Sequence, residues 1–257
     1  MRQLRLLAIQ FVYENVRFWR NAIAAFFTVA LPLAMMVILC LLLGSQQTSA
    51  ESAPIYLSTF YVPAISAMAV IGACFTNIAM EVAISRDRGL LKRYRGTPLP
   101  TSILVSAKLT HAILLGFLLV ICLLCLGAWA FDATLQDMRV GMFSLMLILG
   151  SATFCALGLA IAAVIPNAEA SPAIVQAIVL PLLFISDVFL PMDNAPSWLQ
   201  WIASVFPVRH FALGLQSSFH PLLTNDIQEW VHLVVLSIWF VVGLVVAIRY
   251  FRWEPKR

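Results

Sequence analysis

Few side chains in this sequence could act on a substrate, and their spacing points away from catalysis. Cys122 and Cys125 stand as C-x-x-C, a spacing that can serve thiol exchange or metal binding. Both sit in a leucine-rich stretch, and Cys40, Cys74 and Cys155 also fall inside apolar runs. All five therefore read as free, buried packing thiols without a disulfide framework. No H-E-x-x-H surrounds any of the four histidines, and no G-x-S-x-G marks a nucleophilic serine. His111, close to Lys108, and His232 could titrate near neutral pH, but lone histidines near an interface are mostly structural. A phosphate-binding G-x-x-x-x-G-K-[ST] loop is missing, and the 11 glycines are scattered. The sequence predicts no enzyme, no catalytic residue, no metal and no cofactor bound by this chain.

Charge, in contrast, is concentrated. Residues 81–100 carry Glu81, Arg86, Asp87, Arg88, Gly89, Lys92 and Arg93 in a chain of which only 11% is charged. The pattern predicts a helix continuing through about Arg95, with Gly96 as its C-cap, Pro98 as a stop, and Thr101 or Ser102 capping the next helix. A short helix rigidly joined to an apolar span can receive a push from a soluble partner. Alternatively, its cations fix topology and touch lipid headgroups. Carboxylates near membrane spans often mark pathways, which makes Asp187 a candidate for the exit side; Glu169 lies near the opposite end of the same run. Asn77, Thr76 and Gln176 are polar within apolar runs and could bond between helices or line a substrate path.

The elements that position these residues follow from composition. Of 257 residues, 62% are hydrophobic, and several apolar runs reach the roughly 20 residues that cross a bilayer core. Without alternating polarity these are helices, not barrel strands. Spans are predicted near residues 22–43, 55–80, 109–130, 140–164, 172–190 and 230–248. The net charge of +4 is topological, because 14 of the 16 Lys and Arg fall in the leader, in the segment between spans two and three, and in the tail. Six spans put all three on one side, which the positive-inside rule makes cytoplasmic. The first apolar run is too long for a secretory core of about 7–15 residues and reads as a retained span.

Within the leader, Leu4, Leu7, Ala8, Phe11, Val12, Phe18 and Trp19 share one helical face, and Arg2, Gln3, Gln10, Glu14 and Arg17 lie opposite. That pattern predicts an amphipathic helix in the cytoplasmic interface over residues 1–21. Residues 191–229 hold Pro191, Pro196, Pro207 and Pro221 with Trp198, Trp201, Phe206, Phe211 and Phe219 between them. Each piece is too short to span, so a short re-entrant segment of helices that dip into the outer leaflet is predicted. The whole is an all-α membrane protein of one transmembrane domain: spans one to five in 22–190, span six in 230–248 and a cytoplasmic tail in 249–257.

Two stretches resemble the type-2 ABC exporter permeases. One is the charged segment ending in Thr97-Pro98-Leu99. The other is the proline-bearing fifth span with Phe189-Leu190-Pro191, Pro196-Ser197-Trp198-Leu199 and Phe206-Pro207. Ser186-Asp187 departs from the Ser-Gly common there. The resemblance implies a permease subunit of a bacterial inner-membrane exporter, multi-pass with both termini cytoplasmic, moving an amphiphilic or hydrophobic substrate such as a drug or lipid. It implies a separate ABC ATPase that holds ATP and Mg, and a second permease copy or a homologous permease. Residues 81–95 become its coupling segment, with Glu81, Arg86, Asp87, Arg88, Gly89, Lys92 and Arg93 as docking candidates. A secondary transporter or channel would want buried charges or a repeat, and an intramembrane enzyme would want a motif that is missing.

Overall fold

Long uncharged runs of Leu, Ile, Val and Ala leave backbone groups with no partner but their own helix. The computed structural model describes residues 2–43, 47–48, 55–90, 96, 100–131, 138–189, 195–219 and 226–250. Its helices are α1 Arg2–Arg20, α2 Ala22–Leu43, α3 Leu57–Ile71, α4 Asn77–Asp87, α5 Thr101–Ala130, α6 Val140–Val164, α7 Ser171–Phe184, α8 Ser197–Val205, α9 Pro207–Phe219 and α10 Asp226–Tyr250. A π-helical turn, Gly72–Thr76, joins α3 to α4 without a break. An antiparallel pairing of Gln47–Thr48 with Ile55–Tyr56 is a small exception to the predicted all-helical class.

Among the described residues, five helices are long and apolar enough to cross a membrane: α2, α3–α4, α5, α6 and α10. The α3–α4 and α6 windows are each 67% buried and form the centre, whereas α2 is 22% and α10 28% buried. The outer pair turn Ile23, Phe26 and Leu41, and Val234, Ile238 and Ile248, outward. Apolar patches of that extent are stable against lipid and not against water.

Helix direction follows from three contacts. Glu229 pairs with Arg139 at the start of α6, Thr153 Oγ1 donates to Leu236 O at 3.1 Å, and Gly243 abuts Ala156 and Leu157. Helices α6 and α10 therefore run parallel, and the chain between them must return. Between them lies the apolar α7, whose 14 residues reach about 21 Å, less than a hydrocarbon core of about 30 Å. The fifth helix was expected over 172–190; it stops at Phe184, three residues before the left-handed Asp187, and α9 packs along the first half of α6. Phe211 packs against Gly150 and Phe154, Gly214 against Met146, and Ser218 O accepts from Arg139 N at 2.9 Å. Phe211 thus lies about 15 Å along α6 from its first turn, at a rise of about 1.5 Å per residue. Gly150 is required there, since a Cβ would overlap the Phe211 ring.

Three further expectations are corrected. Helix α4 ends at Asp87, not near Arg95, because Gly89 with φ +69° supplies the left-handed residue after the helix. The expected cap at Gly96 is not used for α4. Helix α5 begins at Thr101, ahead of residue 109, and Pro100 is its N-cap with its carbonyl accepting from Ile103 N at 3.0 Å; neither Thr101 nor Ser102 caps it. Cys40, Cys74 and Cys155 are buried, but Cys122 and Cys125 are exposed on α5, on a surface that a bilayer would cover.

Candidate functional site

One end of the bundle gathers most of the charged segment singled out above. Proline 166 halts α6 and forces its predecessor Ile165 into an extended conformation, φ −55° and ψ 127°. The last carbonyls of α6 then lack helical donors. Arg86, 2% exposed, supplies them: Nη1 donates to Ala162 O at 2.8 Å and Nη2 donates to Ile165 O. The next residue, Asp87, accepts from Ala168 N at 3.0 Å through Oδ2. The turn is completed locally, with Asn167 Oδ1 accepting from Ala170 N at 2.8 Å and Ser171 Oγ donating to Ala168 O at 2.7 Å. Arg88 is exposed beside Gly89. Lys92 and Arg93 lie outside the described residues.

Glu81, one turn and a half before Arg86, joins a second cluster. It pairs with Lys108 of α5 and Arg17 of α1, while Lys108 Nζ lies 2.8 Å from Glu14 Oε1 and Arg17 Nη2 lies 3.3 Å from Glu14 Oε2. Two acids and two cations balance, and Glu14 and Lys108 are each 4% exposed at the side chain. Helix α1 thus turns Gln10 and Glu14 toward the protein, with Phe11 and Phe18 against His111 at ring distances of 6.0 and 5.4 Å. Leu4, Val12, Tyr13, Val16 and Trp19 face outward. Glu14 was not among the sequence candidates. It is the sole acid of α1, with Gln10 and Arg17 on its face at helical spacing, but Lys108 is far away in sequence.

The remaining candidates sit elsewhere. Asp187 has φ +58°, a conformation that suits glycine and that Asp tolerates better than most residues. Arg209 Nε donates to its Oδ2 at 2.8 Å, and Gln216 Nε2 donates to its carbonyl at 3.0 Å, tying the end of α7 to α9. Asn77 Nδ2 donates to Thr28 Oγ1 at 3.4 Å, and Gln176 is exposed on α7. The structure therefore does not bring Asn77, Gln176 and Asp187 into one site. Near Asp187's end, His210 and His232 meet Nδ1 to Nδ1 at 2.9 Å, and His210 Nε2 is 2.8 Å from Ser204 O. Since a carbonyl only accepts, His210 Nε2 carries a proton, and the neutral ring accepts at Nδ1 from His232.

An apolar groove of about 270 Å³ opens between α3, α6, α7 and α10, lined by Phe75, Phe154, Ile178, Leu182, Trp239 and Val246 among others. Among the described residues no three His, Cys, Asp or Glu side chains gather as metal ligands. Among the described residues the arrangement offers charged ties and apolar surfaces, with no constellation of nucleophile, base and orienting group.

The sequence model of the ABC-2 type transporter family matches residues 5–220. The Escherichia coli K12 protein named "Probable multidrug ABC transporter permease YbhR" is 24% identical over 152 residues, 59% of this chain and 41% of that protein. The matched stretch therefore spans well under half of that relative. The Bacillus subtilis (strain 168) protein named "Putative transport permease YvfS" is 21% identical over 196 residues, covering 76% of this chain and 78% of its own. The Cyanophora paradoxa protein named "Putative transport permease ycf38" is 29% identical over 206 residues, covering 74% and 69%.

Proposed function

The chain belongs to the ABC-2 type transporter family, and from that premise we propose that it is the membrane subunit of an ATP-driven exporter. A separate ABC ATPase, which holds ATP and Mg, supplies the energy, and a second permease copy or a homologous permease completes the pathway. The observation that carries this is the family match over residues 5–220, together with a charged end of the bundle built from α1, α4, α5 and the α6–α7 turn. Exposed Arg88, with Lys92 and Arg93 beyond it, would meet the ATPase. Glu81, Arg86 and Asp87 would tie that contact to the spans. Gly89 would let the chain turn outward between the two groups.

Six crossings account for the helix directions. Five helices are long, α7 is the sixth and short, and α8–α9 form the re-entrant segment from the opposite face. The parallel course of α6 and α10 puts Arg249 at the same end as α1, which the positive-inside rule makes cytoplasmic. Helix α1 would lie in that interface with Leu4, Val12 and Trp19 in lipid. The bacterial inner membrane is the setting. The substrate is amphiphilic or hydrophobic, a drug or lipid, in keeping with the apolar groove and with the name of the Escherichia coli relative. ATP-driven closure of the partner would move the charged end and switch access between faces.

The docking assignment is tested by co-purifying the chain with a candidate ABC ATPase and repeating the pull-down with Arg88→Glu and Lys92→Glu. Each reversal should weaken recovery by roughly tenfold, the effect of about 1.4 kcal/mol. Unchanged recovery in both variants would place docking elsewhere.

A further inference from the structure

Arg86 and Asp87 are neighbours in sequence yet serve opposite ends of one turn. The guanidinium satisfies carbonyls at the C-terminus of α6, where the helix dipole is negative, and the carboxylate accepts the Ala168 N–H just before α7, where it is positive. Both belong to α4, which the π-turn and α3 continue through the centre of the bundle. Gly89, the left-handed residue, follows immediately. Arg86 and Asp87 are tied to the α6–α7 turn, and Arg88, between them and Gly89, is exposed.

We propose that Arg86 and Asp87 are positioning residues that bind the end of α4 to both sides of the α6–α7 turn, so that a displacement of the exposed Arg88 moves α6 and α7 together with α4. This rests on the permease reading above, and it takes these two side chains out of direct docking. Burial decides against docking for Arg86, since a side chain 2% exposed with its Nη atoms on two carbonyls has nothing to offer a soluble partner. From the turn, α7 leads to Asp187, whose ion pair with Arg209 and bond to Gln216 hand the motion to α9 at the other end. The two ends of the bundle are thereby joined through Arg86 and Asp87 at one and Asp187, Arg209 and Gln216 at the other.

The test uses the permease–ATPase complex in nanodiscs, comparing ATP hydrolysis with that of the isolated ATPase. Arg86→Gln and Asp87→Ala should still assemble with the ATPase and keep its KM for ATP. Their kcat should shift toward that of the isolated ATPase by roughly 2- to 30-fold, the range for residues that carry coupling. Asp87→Asn keeps an acceptor oxygen for Ala168 N and should retain the wild-type kcat. If Arg86→Gln does not fold, Asp87→Ala decides, because Asp87 is only half-buried. A kcat and KM unchanged in both variants overturns the proposal, as does loss of ATPase recovery, which would make the pair docking residues after all. Failure of the wild-type chain to recruit any ABC ATPase overturns the permease reading itself, and the link with it.

Discussion

Asp187 occupies a backbone conformation that most side chains avoid, and the Arg209 pair holds it there. Removing the carboxylate leaves a guanidinium that is 18% exposed without this partner. Asp187→Ala should therefore cost about 3 kcal/mol, within the range for breaking a buried pair, read as a lower melting temperature in detergent. Asp187→Asn keeps an acceptor and tolerates the left-handed conformation, and it should cost clearly less. Equal losses would mean that the ion pair contributes nothing. The charged cluster behaves differently, because it balances. Lys108→Met strands Glu14 and Glu81 with one cation, whereas Glu14→Gln with Lys108→Met leaves Arg17 facing Glu81. The double variant should melt above the Lys108→Met single, with a coupling of roughly 1–3 kcal/mol; additive losses would contradict the network. The sequence made Asp187 visible as a carboxylate near a span end, and the family resemblance marked its place as one where glycine is common. It could not show Arg209 as the partner, nor Glu14 against Lys108, since neither pairing has a short-range signature.

At the scale of elements, close helix approach depends on glycines. A Cβ on Gly158 would lie 2.9 Å from Phe75 O and 3.2 Å from Cys74 O, backbone atoms of the π-turn that cannot yield cheaply. A Cβ on Gly116 would meet Val70 Cγ2 at 3.7 Å, an ordinary contact. Gly158→Ala should destabilise the protein by about 1–3 kcal/mol. Gly116→Ala should be neutral or stabilise by up to about 1 kcal/mol through helix propensity. Thermal melting of the two variants side by side checks the sign. Apolar run length was enough to read helices such as α2 and α6 along the chain. The end of α4 was harder, because Gly89 and Gly96 are both plausible caps and only the backbone φ chooses between them. The short α7 was equally hidden, since nothing at short range in the sequence announced the left-handed Asp187 that follows it. The face of α1 was half legible: its apolar stripe was plain, but the inward turn of Gln10 and Glu14 depends on α5.

For the whole molecule, cation placement and helix direction converge. Among the described residues, Arg139 and Arg209 are the cations at the far end, and each is paired with an acid, Glu229 and Asp187. The other end keeps exposed Arg5, Arg17, Arg20 and Arg88. Composition and charge distribution were sufficient to recognise a multi-pass membrane protein, because both follow from the bilayer as solvent; the permease reading came from the resemblance of the charged segment and the proline-bearing fifth span. The route by which force would travel through it was not legible, because Arg86 and Asp87 look like any other charged pair until their partners are seen. The most direct measurement is to co-express the chain with a candidate ABC ATPase, reconstitute the purified complex in nanodiscs, and compare its ATP hydrolysis with that of the ATPase alone. An exporter permease should co-purify with the ATPase and change its rate of hydrolysis. If no ABC ATPase associates while the chain alone permits flux across vesicles, the membrane subunit of an ATP-driven exporter is the wrong account, and a channel or secondary transporter takes its place.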